Sequence, residues 1–157
     1  MAGLNMTPVA QAIPFNNYGT TFTSNELQGA VVEAKSGAVS KIRVTAISSY
    51  NSNAGVGRWL EFADGVTSNE GPFILARNFK LSELTLTSST IVTTTLTIFK
   101  DVTTTPVAIQ TISLSGAKTN YLTGLSVTLI IGDEIGVQVT SGSCTKPVCI
   151  LYFEATD

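Results

Sequence analysis

From Val39 onward, hydrophobic and polar positions alternate with a period of two, the spacing of half-buried β-strands. In SKIRVTAISSY, Ile42, Val44 and Ala46 oppose Lys41, Arg43 and Thr45. GRWLEF sets Trp59 and Glu61 against Leu60 and Phe62, and PFILARNF follows a turn at Gly71-Pro72. LSELTLTSS carries Leu84 and Leu86 on one side, and TTTLTIF carries Leu96 and Ile98 against Thr95 and Thr97. VAIQTISL changes parity, with Val107 and Ile109 before Thr111 and with Ile112 and Leu114 after it, which predicts a β-bulge. LSVTLII and IGVQVT resume the alternation, and VCILYFEA follows as the last strand. About eight or nine short strands separated by Gly, Pro, Asn and Asp turns predict an all-β, jelly-roll-like β-sandwich over residues 38–157.

The last strand has two apolar sides. Ile150 and Tyr152 fall on one, Leu151 and Phe153 on the other. One side meets the sandwich core. The second is expected to meet a neighbouring subunit, with the helix of the same chain as the other cover open to it.

Residues 1–37 read differently. FTSNELQGAVVEAKSG has period 3.6, with Leu27, Ala30, Val31 and Ala34 in one stripe. Thr23 and Glu26 have capping-box spacing, and Gly37 sits where a helix stops. A helix of about a dozen residues does not hold alone in water. Its stripe must dock, either on its own β-domain or on another subunit or larger assembly. The extended leader before it carries Phe15, Tyr18 and Phe22 as aromatic anchors, which favours the second. Residues 1–37 are therefore expected to be an N-terminal arm and short anchoring helix. Asn5-Met6-Thr7 fits the glycosylation pattern by chance.

Composition sharpens this picture. The 157 residues include 23 Thr and 15 Ser, but only 13% are charged, so the polar surface is hydroxyl rather than ionic. The net charge is -2 with no cluster of Lys or Arg, which argues against a nucleic-acid partner. No apolar run reaches the length of a membrane-spanning helix, and the first residues lack the basic start of a signal peptide.

Histidine is absent, which excludes a Ser-His-Asp triad, His-ligated zinc and a histidine pH switch. Paired carboxylates are the remaining acid–base chemistry. Asp133-Glu134 and Glu61 with Asp64 fall in turns, and Glu154 has no evident partner. The chain is expected to be no enzyme and to hold no cofactor. Asp64, Asn69 and Glu70 read as a polar loop rather than a calcium site. Cys144 and Cys149 flank TKPV. They read as small buried residues, and a disulfide between them stays open. Trp59, close to the loops of residues 49–57 and 67–71, reads as core rather than as a sugar platform.

FTSNELQGAVVEAKSG after IPFNN resembles the start of many tailed-bacteriophage structural proteins, carried by Phe22, Gln28, Ala30, Glu33 and Ala34. GRWLEFADG, KTNYLTGLSVTLIIGDEIGVQVTSGS and PVCILYFEA resemble phage virion domains with a trimeric jelly roll, similar in shape to the tumour-necrosis-factor and C1q type. Together these resemblances cover roughly residues 13–35 and 39–155. They imply a capsid decoration or head-fibre protein on the particle surface, assembled in the bacterial cytoplasm. They imply a homotrimer with Ile150 and Tyr152 at the subunit interface. Phe15, Tyr18, Phe22, Leu27, Ala30, Val31 and Ala34 would anchor it to a major capsid protein or another virion protein. A short, whole chain without shaft repeats favours this over the alternative, a tail-fibre or receptor-binding tip recognising host glycans. The cysteine pair departs from the pattern of such domains.

Overall fold

The computed structural model describes residues 42–62 and 65–156. The arm, the helix with its stripe, and the seven anchoring residues from Phe15 to Ala34 lie outside the described residues. Among the described residues eight strands form: β1 (Arg43–Ser49), β2 (Asn53–Gly55), β3 (Phe73–Ile74), β4 (Phe79–Lys100), β5 (Val107–Leu122), β6 (Val127–Leu129), β7 (Glu134–Thr145) and β8 (Val148–Ala155). All pairings are antiparallel, in the order β1-β8-β4-β7-β2, with β3 on β7 and both β5 and β6 on β4. The result is a curled antiparallel sheet of jelly-roll-like topology.

β4 makes the curl. The two segments read as separate strands from the sequence, around Leu84 and around Leu96, are halves of one strand of 22 residues. Its first half pairs with β8, β6 and the end of β5; its second half pairs with β7 and the start of β5. Between the halves the register against β5 slips from Thr87↔Thr119 to Val92↔Ala117. The slip falls on Ser88, Ser89 and Thr90, whose short hydroxyls can replace ladder hydrogen bonds. Ser88 and Ser89 both donate to the Thr145 carbonyl at 3.1 Å, so the bend is tied to the end of β7.

Two further bulges set which residues face inward. Ser82 is the extra residue between Leu81↔Phe153 and Glu83↔Tyr152. It lets Phe79 and Leu81 before it, and Leu84 and Leu86 after it, all reach the core. In β5, Gln110 opposes Ile98 while Ala108 opposes Phe99, leaving Ile109 as the extra residue. This is the bulge that the parity change predicts, and after it Ile112 and Leu114 are buried. Leu60 is fully buried, but GRWLEF is no regular strand. It touches its neighbours by isolated bridges, Trp59↔Gln138 and Glu61↔Thr67. PFILARNF likewise yields only β3 before the chain breaks and re-enters as β4.

The core is apolar and close. Ile135, Val137 and Val139 of β7 and Leu151 and Phe153 of β8 have no exposed surface. Phe153 stacks on Phe73 with ring centres 5.8 Å apart and meets Phe79 at 6.1 Å. Each fully buried side chain of this kind contributes about 1.5–3 kcal/mol.

Candidate assembly face

The outward side of β8 is the candidate interface. β8 is not an edge strand: it lies between β1 and β4, so its alternation is imposed from both flanks. Cys149, Leu151 and Phe153 point inward and are buried, which turns Ile150 and Tyr152 outward, where they are half-buried. Ile150 opposes Ile47 of β1 on one flank and Thr85 of β4 on the other, and Thr85 in turn opposes Tyr121 of β5. One cross-strand row therefore reads Ile47, Ile150, Thr85, Tyr121. Ile47 is 54% exposed and Tyr121 70% exposed. Tyr152 lies in the next row, between Thr45 and Glu83.

The face is closed at one end by charge. Glu154 was expected to have no partner; it accepts from Arg43 at 2.8 Å and lies 3.3 Å from Lys80 Nζ. The same parity argument that places Ile150 outward could have placed Ile47 there, since it is out of phase with Val44 and Ala46. That it meets Ile150, 103 positions on, and that Tyr121 joins through Thr85, 36 positions before it, depends on strand register, which no local pattern encodes.

Asp133 and Glu134, like Glu154, serve the fold. Asp133 is buried in the turn before β7, where it accepts from the Ile130 N–H at 3.0 Å. Glu134 accepts from the backbone N–H and hydroxyl of Thr103. Cys144 and Cys149 are unbridged and buried. Burial pushes the Cys149 thiol up to about 12. It also raises that of Cys144, against which a hydrogen bond with Ser88 acts. High thiol pKa values make these sulfurs poor nucleophiles.

On the β2–β7 side, residues 53–59 and 67–70 border an open groove of about 550 Å³. The loops of residues 49–57 and 67–71 thus meet beside Trp59. The indole is neither core nor free surface: it is half-buried, with its ring centre 5.3 Å from that of Phe99.

Among the described residues, fold and face together define a jelly-roll-like β-domain with an outward, largely apolar row. No protein-family model and no curated protein matches the chain. Among solved structures it is similar to the globular domain of zebrafish complement 1qA, at 13% identity, over 74% of this chain and 98% of that one, with a TM-score of 0.47. It is also similar to a chain of the disulfide-linked pili of Bacillus endospore appendages, at 14% identity over 74% and 91%, with a TM-score of 0.40. A chain of the virus-like particle of the giant freshwater prawn Macrobrachium rosenbergii extra small virus aligns at 13% identity over 76% and 83%, with a TM-score of 0.25. At such values the likeness carries no conclusion about activity or partners.

Proposed function

We propose that this protein is a structural component of a tailed-bacteriophage particle, a capsid decoration or head-fibre subunit that trimerises through its β-domain. Residues 1–37 attach it to a major capsid protein or another virion protein. The observation that carries the trimer is the row Ile47, Ile150, Thr85, Tyr121 on the outward side of a four-strand stretch of sheet. Three copies closing on an axis bury that row. Each large side chain so covered contributes up to about 1.5–3 kcal/mol. The role on the particle rests on the sequence resemblance. Three arms engaging together raise avidity without a strong single contact.

Native mass spectrometry of the full chain tests the assembly: a trimer is expected, and a monomer at micromolar concentration overturns it. Deletion of residues 1–37 tests the anchor. The truncated chain should stay folded and trimeric yet fail to bind purified particles, and retained binding removes the anchoring role. Electron microscopy of virions carrying the protein separates density repeated over the head from density at the tail end alone.

A further inference from the structure

The groove beside Trp59 is lined by residues of the 53–59 and 67–70 stretches and shares no residue with the row Ile47, Ile150, Thr85, Tyr121. Its walls are held from beneath. Ser68 is fully buried: its N–H donates to the Leu60 carbonyl at 2.8 Å, and its hydroxyl accepts from the Val137 N–H at 3.0 Å and contacts the Val137 carbonyl at 3.3 Å. Pinning Ser68 to β7 leaves its neighbours Thr67 and Asn69 along the groove, and the N–H groups of Glu70 and Gly71 both donate back to the Thr67 carbonyl. The other wall is fixed by the Gly57 N–H to the Val139 carbonyl at 2.8 Å and the Arg58 N–H to the Gly55 carbonyl at 3.1 Å.

Trp59 is held as firmly. Phe99 packs against it, and Gly136 makes room for it. A Cβ on Gly136 would lie 3.0 Å from Trp59 Cζ3 and 2.9 Å from Val102 Cγ1. The groove therefore combines a fixed indole, the amides of Asn53 and Asn69, one cation (Arg58) and one anion (Glu70). Amides, guanidinium and carboxylate supply donors and acceptors side by side, which matches hydroxyl groups that both give and accept. An indole presents an apolar body to the C–H side of a pyranose ring. One charge of each sign leaves the groove balanced and does not select for an anion.

We propose that this groove binds a neutral saccharide chain, with Trp59 as the apolar platform and Asn53, Arg58, Asn69 and Glu70 as the hydroxyl-binding groups. Because the walls are already pinned by backbone hydrogen bonds, little order has to be created on binding.

Trp59 is the chain's single tryptophan, so its emission reports on the groove directly. The full chain is titrated with maltohexaose, cellohexaose, chitohexaose and mannohexaose, with oligogalacturonate as an anionic comparison and an uncharged hexapeptide as a peptide comparison. A saturable emission change with at least one neutral sugar at millimolar concentration or below is expected, with saturation transfer to the sugar by NMR. Asn69→Ala and Glu70→Gln should weaken it about five- to tenfold, the loss of roughly one hydrogen bond, while circular dichroism shows both variants folded. Silence with all four neutral sugars overturns the proposal. So does unchanged binding by both variants, or a preference for the oligogalacturonate or the peptide.

Discussion

Ile47 and Ile150 oppose each other on neighbouring strands with both side chains directed away from the core. A β-branched pair directly across antiparallel strands strengthens the sheet, yet here more than half of Ile47 remains in water. Replacing an exposed residue costs the protomer little, within about 0.5 kcal/mol. Ile47→Lys is therefore expected to leave the thermal midpoint of the protomer nearly unchanged while native mass spectrometry shows loss of the trimer. A variant that still assembles removes this row from the interface.

Gly142 sits where β7 meets the bend in β4. Its φ is +69°, and a Cβ there would fall 2.4 Å from the Thr93 carbonyl oxygen. Backbone, not a flexible side chain, blocks the space. Gly142→Ala should cost about 2–4 kcal/mol, from left-handed strain and overpacking together. Gly55→Ala, with open space around its Cβ, should stay within about 0.5 kcal/mol. Urea midpoints of the two variants check the contrast.

The Ser68 hydroxyl serves the Val137 N–H inside the fold. Ser68→Ala leaves that donor buried without a partner, which costs about 1–3 kcal/mol. Urea unfolding should record the loss, and hydrogen exchange at the Val137 amide should accelerate more than at Val139. Exchange unchanged at Val137 would mean the hydroxyl is dispensable.

Burial raises the Cys149 thiol from 9.0 to about 12. The folded chain then keeps a proton that the unfolded chain loses. Stability linked to this thiol is complete below pH 9.0 and falls as pH rises from there to about 12. Cys149→Ala lacks this loss. The wild-type advantage in urea midpoint over Cys149→Ala should therefore shrink as pH rises above 9.0. A constant advantage across that range would indicate an ordinary thiol.

Much of the sandwich could be read from the alternation alone, because a strand with one covered side must repeat every two residues. Leu84 with Leu86, Leu96 with Ile98, Ile135 with Val137 and Val139, and Leu151 with Phe153 are buried as their spacing predicts. The Ile109 bulge was visible for the same reason: an extra residue shifts the phase. Continuity was not visible. LSELTLTSS and TTTLTIF read as two strands, and it takes the Thr145 carbonyl, 57 and 56 positions on from Ser88 and Ser89, to fix the bend of a single strand. Trp59, read as core, is half-buried, and its packing over Gly136 joins residues 77 positions apart, which no local pattern encodes. The outward side of β8 was legible as two apolar residues, but its extent depends on partners in β1 and β5.

Arg43 and Glu154 meet across 111 positions of chain, and among the described residues the whole of β1 finds its ladder on β8 alone. On the ribosome, β1 emerges long before β8 exists. At synthesis rates of about 5–20 residues per second, it waits roughly 6–22 s for its hydrogen-bonding neighbour. One long side of β4's first half waits with it. Through that interval the nascent chain offers open strand edges to every other copy being made nearby. That exposure ends when the eight-residue β8 slides between β1 and β4.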